Sequence, residues 1–171
     1  INSQGSDIDF FDRYIRNTGN DAAEHSVSSA NGANLFDFDF SNDGTRMYIT
    51  NAGKNNSTNT NFIYQVKLST PFDPSTGADP ASEAVEHIFD ASPQLDFQTT
   101  ELEFDDDGTR MYIIESATSV KTTEIDVYKL TTGFDVTTAS YIGSITNFFN
   151  AAGGNGTPLG LGFSSDGMKL Y

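Results

Sequence analysis

A chain of 171 residues is the length of one domain, and its 14 Phe and 7 Tyr can build a core although only 36% of its residues are hydrophobic. Its 24 acidic and 9 basic residues leave a formal charge of −15, which argues against nucleic-acid and anionic-membrane partners and would attract cations. The absence of Cys excludes disulfides, thiolate nucleophiles and Cys-ligated zinc. No stretch approaches the roughly 18 apolar residues of a membrane span, and Ile1–Ser6 shows neither the basic start nor the apolar run of a signal peptide.

In chain order, Asp7–Asn17 is the first expected strand, with Phe10, Tyr14 and Ile15 as its packing residues. Apolar residues then alternate at 36, 38 and 40, the period of a strand, and Asp43-Gly44 supplies the positive φ of a tight hairpin. Arg46-Met47-Tyr48-Ile49 begins the return strand. Residues 61–69 read as a third strand and 83–90 as a fourth, opening at Ala84. The same series follows from about residue 99 to 149, with Ile125–Leu130 as the third strand and Tyr141–Phe149 as the fourth. Residues 158–164 and 168–171 repeat only the first two strands.

The recurrence is explicit in the residues. Phe38-Asp39-Phe40-Ser41-Asn42-Asp43-Gly44-Thr45-Arg46-Met47-Tyr48 aligns without gaps to Leu102–Tyr112 and to Leu161–Tyr171, with glycines 64 and 59 residues apart. A Ser/Thr pair, a Phe-Asp dipeptide and a Thr-rich loop follow the third strand both at Ser69–Thr76 and at Thr131–Thr138. Four antiparallel strands per unit, repeated, describe the blades of a propeller. The motif resembles repeats of bacterial and phage surface or secreted β-propellers, and more loosely the YVTN and WD40-like propellers. The third copy departs from it, with Met168 where the others carry Thr.

The expected fold is therefore an all-β β-propeller domain over residues 1–171, with four-stranded antiparallel blades of about 60 residues. Its units are an outer strand in 1–20, full blades at 34–90 and 99–149, and inner strands at 158–171. An order that begins on an outer strand and ends inside a blade leads us to expect a portion of a longer chain. Copies that complete each other's blades through open edges are the rival expectation.

Chemistry-bearing residues are sparse. His25 and His87 fall in different units without ligand spacing, no Gly-x-Ser-x-Gly elbow is present, and Gly153–Gly156 precedes a strand rather than a helix. Asn55, Asn56 and Asn155 open N-x-Ser/Thr sequons in polar loops. The aspartates of the Asp-Gly turns read as turn residues. One set stands apart: Asp37 and Asp39 on one innermost strand, Glu101 and Glu103 on the next. The third copy has Gly160 and Gly162 there, as expected if inner strands crowd near an axis. Like charges so placed raise each other's pKa values or recruit a hard cation such as Ca2+ through oxygen ligands. The alternatives are a hydrated acidic channel, or neutralisation by Arg46 and Arg110.

The leading functional expectation is a non-enzymatic extracellular module, on a cell surface or virion, that binds a glycan, a protein or itself. The alternative is a metal-dependent propeller hydrolase or lactonase, with Asp37, Asp39, Glu101 and Glu103 as metal ligands. An intracellular WD40-like platform ranks last, since the chain lacks Trp and the Gly-His and Trp-Asp signatures.

Overall fold

The structure is a computed structural model that describes residues 34–52, 61–77, 86–91, 98–116, 124–146, 160–164, 169 and 171. The expected strand in 1–20, His25, the sequons at Asn55, Asn56 and Asn155, and Gly153–Gly156 lie outside the described residues.

Eight strands form two four-stranded antiparallel sheets. The first holds β1 (Asn34–Phe40), β2 (Arg46–Ala52), β3 (Asn61–Lys67) and β4 (His87–Asp90), paired in that order. The second holds β5 (Gln98–Phe104), β6 (Arg110–Ser116), β7 (Ile125–Leu130) and β8 (Ala139–Ile145), again paired in chain order. The chain is all-β, with only two three-residue 3₁₀ turns, Pro74–Thr76 and Val136–Thr138, among the described residues. Those turns occupy the Thr-rich loops. Asp73 and Asp135 cap them, each carboxylate accepting from the backbone N–H two residues on at 3.0 Å.

The hairpins are wider than the sequence suggested. Ser41 N donates to Arg46 O at 3.0 Å and Gly44 N to Ser41 O at 2.7 Å, so four residues turn the chain. Only the glycine takes positive φ, +67° at both Gly44 and Gly108, because a turn of this length needs one left-handed residue after its bend. Asp43 Oδ1 accepts from Ser41 Oγ, Thr45 N and Thr45 Oγ1, which holds its carboxyl down at about 2. The residue before each turn closes it the same way: Ser41, Asp105 and Ser164 offer side-chain oxygens to the N–H of Arg46, Arg110 and Lys169 at 3.0, 2.9 and 2.9 Å. In the third copy Gly162 and Tyr171 exchange both backbone bonds, the register that Asp39–Tyr48 and Glu103–Tyr112 also show.

The fourth strands differ in extent from expectation, although β4 ends at Asp90 as expected. β4 begins at His87, after a bend at Glu86 whose carboxylate is held by Arg46 at 2.9 Å. β8 begins at Ala139, directly out of its 3₁₀ turn, and ends at Ile145.

Alternation along β2 and β6 divides the core between sheet faces. Tyr48, Ile63 and Ala91 of the first sheet pack with Leu102, Phe104, Met111, Ile113, Tyr128, Leu130 and Val136 of the second. Met47, Ile49, Val66 and Leu68 form a cluster on the first sheet's other face. Beyond the second sheet, Ile114 and Ile125 pack with Leu161 of the third copy.

Candidate functional site

The four inner-strand carboxylates do share one neighbourhood. In both sheets a β-bulge immediately precedes them, between Leu35 and Asp37 and between Thr99 and Glu101. A bulge of this kind re-aims the side chains that follow it. Asp37 Oδ2 then accepts from Leu102 N at 3.0 Å, across the gap between β1 and β5. Glu101 Oε1 accepts from Leu161 N at 3.1 Å, across the next gap. The two acids are equivalent in the sequence alignment, and so are the two leucines. Each acid therefore holds the inner strand of the unit that follows it.

Burial raises the pKa of Asp37, Asp39 and Glu101, and backbone N–H groups oppose the shift in each. Glu103 has no such relief. Burial and the charges of Asp39, Glu101 and Asp37 all push it up, to about 7. Arg46 and Arg110 do not neutralise the cluster. Arg46 pairs with Glu86 at 2.9 Å, and Arg110 lies 3.6 Å from Asp105.

Among the described residues, no three His, Asp or Glu side chains come together closely enough to hold a metal ion. Of the four acids, Asp37 and Glu101 accept backbone N–H bonds from neighbouring strands. The crowding expected at Gly160 and Gly162 is also not found: a Cβ at either would meet no described atom within 4 Å. His87 stands at the start of β4, opposite Gln65.

Periodicity did not reveal the residues that join the sheets. Tyr48 packs at a tilt against Phe104 with ring centroids 4.6 Å apart, and Tyr112 against Phe163 at 4.8 Å, the equivalent pair one unit later. Tyr48 Oη donates to Phe134 O. Gln65 Oε1 accepts from Val136 N at 2.9 Å, and Asn61 Oδ1 from Thr99 Oγ1 at 3.3 Å. Phe72 and Phe134, at φ of 58° and 59°, lay their rings over Gly44 and Gly108 and donate their N–H to those glycines' carbonyls. The visible signal was the Phe-Asp dipeptide recurring four residues after Leu68 and Leu130, at the end of each third strand.

No protein-family model matches the chain, and no curated protein or solved structure matches it.

Proposed function

We propose that this chain is a section of a β-propeller serving as a non-enzymatic binding or structural module, exposed outside a cell or on a virus particle. One observation carries the reading. The joint between the first and second units recurs between the second and third, with the same acid on the same leucine N–H and the same Tyr on the same Phe. A repeated joint between like sheets generates a fan or a stack. Inner strands tied edge to edge favour the fan. Two of the four inner acids, Asp37 and Glu101, are engaged in that joint, which supports a scaffold over an enzyme. A glycan, a protein or a further copy of the chain suits such a scaffold as partner, met through rim loops or open edges.

The test sets this reading against the metal-dependent hydrolase or lactonase with Asp37, Asp39, Glu101 and Glu103 as ligands. Thermal melts are recorded after EDTA and after added Ca2+, and ester and lactone substrates are assayed under both conditions. The scaffold reading expects an unchanged melting temperature and no turnover. Chelator-sensitive turnover, lost in Asp39→Asn, would overturn it.

A further inference from the structure

The second sheet receives the first through a socket. Phe104 and Phe134 lie with ring centroids 5.4 Å apart, and the buried Tyr48 ring of the first sheet packs beside them. The Tyr48 hydroxyl and Arg46 Nη1, two residues back on the same face of β2, both donate to Phe134 O. Asp135, next to that carbonyl, adds a charge attraction for Arg46. One further bond crosses the joint: Gln65 Oε1 accepts from Val136 N at 2.9 Å. The first sheet carries an equivalent socket on its other face. Phe40 and Phe72 lie 5.7 Å apart, backed by Met47 and Ile49 as Phe104 is backed by Met111 and Ile113. Phe72 has the left-handed φ of Phe134 and the same N–H bond to its glycine, and Asp73 follows it as Asp135 follows Phe134. The covering differs. Leu102 is 1% exposed in the joint, whereas among the described residues its counterpart Phe38 is 46% and Phe72 57% exposed. One donor differs too: Pro74 stands where Val136 gives its N–H, and proline has none to give.

We infer that the Phe40–Phe72 socket holds the Arg-x-Tyr strand of a further repeat unit, and that Pro74 selects a unit with an apolar residue in place of Gln65. The joint between the first and second sheets names that occupant. Its tyrosine ring packs beside Phe40 and Phe72, its hydroxyl donates to Phe72 O, and its guanidinium faces Asp73. A cation at this point of contact suits a chain whose formal charge is −15. The choice at Pro74 follows from hydrogen bonding. A glutamine placed as Gln65 is would bury its amide oxygen against a residue without a donor, and an unmade buried bond is costly. The second unit shows the set that avoids this cost. Tyr112 pairs with Val127 across β6 and β7 as Tyr48 pairs with Gln65 across β2 and β3, and Arg110 stands where Arg46 does. The inference deepens the scaffold reading and rests on its repeated joint.

Nuclear magnetic resonance titrations of the isotope-labelled whole chain test it, through the amide signals of Phe40, Phe72 and Asp73. The probes are synthetic hairpins, each closed by a disulfide between added terminal cysteines so that little ordering is left to binding. The hairpin of residues 110–130 carries Arg110, Tyr112 and Val127 and should shift those signals saturably. Tyr112→Ala in that hairpin should weaken binding by roughly tenfold or more. The hairpin of residues 46–68 carries Gln65 and should bind about tenfold more weakly than 110–130. Pro74→Val in the chain restores the N–H that Val136 supplies in the second unit, so it should close that gap. No saturable shift with the 110–130 hairpin, binding unaffected by Tyr112→Ala, or a preference between hairpins that Pro74→Val leaves unchanged would each overturn the proposal. Such a failure, with melts insensitive to EDTA and no turnover, would remove the socket alone and leave the scaffold reading standing.

Discussion

Glu103 should make this protein less stable as pH rises from 5 to 8. Its ordinary carboxyl value of 4.5 is lifted to about 7 in the folded chain. Between those values the folded state holds a proton that the unfolded state has released, so folding is favoured on the acid side and the advantage is lost as pH rises through 7. At 1.36 kcal/mol per pKa unit the full shift corresponds to about 3 kcal/mol. Glu103 is only partly buried, and water screens its neighbours' charges, so about 1–1.5 kcal/mol is the expected size. Asp37, Asp39 and Glu101 are raised as well and act in the same direction at lower pH. Asp43 acts oppositely: its carboxyl is depressed to about 2, so its contribution is complete above the ordinary Asp value and disappears only as pH falls towards 2. Stability should therefore peak between these windows, near pH 4. Circular-dichroism melts at constant 0.15 M ionic strength, in steps from pH 4 to 8, measure this. Glu103→Gln should raise the melting temperature at pH 8 and flatten the profile. If the wild-type curve is level or rising from pH 5 to 8, or the glutamine variant is no more stable at pH 8, the account of the acidic cluster fails.

Gly44→Ala should cost about 3 kcal/mol in urea denaturation, combining a left-handed alanine with a Cβ only 2.4 Å from Phe72 Cδ2. Adding Phe72→Ala should remove the steric part, so the two changes will not be additive. Asp37→Ala should cost about 1–2 kcal/mol and expose the Leu102 amide to hydrogen exchange, whereas Asp37→Asn, which keeps an acceptor, should restore most of both. Tyr48→Phe should cost about 1 kcal/mol, by removing the hydroxyl that donates to Phe134 O while leaving the ring stack on Phe104. Arg46→Ala should cost about 1 kcal/mol, because its ion pair with Glu86 is still partly exposed to water.

The strands were legible because each signal was local. Alternation at 36, 38 and 40, and Gly after Asp at 44 and 108, are written within a few residues of where they act. The 3₁₀ turns were missed because Thr-rich sequence suits a loop equally well, and the capping bonds of Asp73 and Asp135 became visible only once the turn existed. The bulges ahead of Asp37 and Glu101 were illegible for a different reason. They depend on pairing with β2 and β6, which strand periodicity does not encode. The acids themselves were found by comparing copies, but their task was not. A carboxylate next to a neighbouring strand can bind a cation, meet an arginine or accept a backbone N–H. The distances from Asp37 to Leu102 and from Glu101 to Leu161 show backbone N–H bonds for these two acids.

The change along the inner strands, from Asp to Glu to Gly, then acquires a physical meaning. Asp37 and Glu101 each tie their own unit to the next one. Gly160 stands at the corresponding place in the third copy, and it has no side chain with which to accept from a following strand. The sequence around it keeps the rest of the unit, including the Ser164 closure of the hairpin and the Phe163 that receives Tyr112. The third copy thus has the parts that receive the inner-strand joint and lacks the side chain that would pass it on. Any further unit beside it must be held by packing or by other bonds, without the carboxylate tie. The same substitution at Gly162 removes two negative charges from the inner face in total, at the edge of a cluster already lifting Glu103 to about 7. A third pair of acids in register with the first two would add to the repulsion that already raises Glu103.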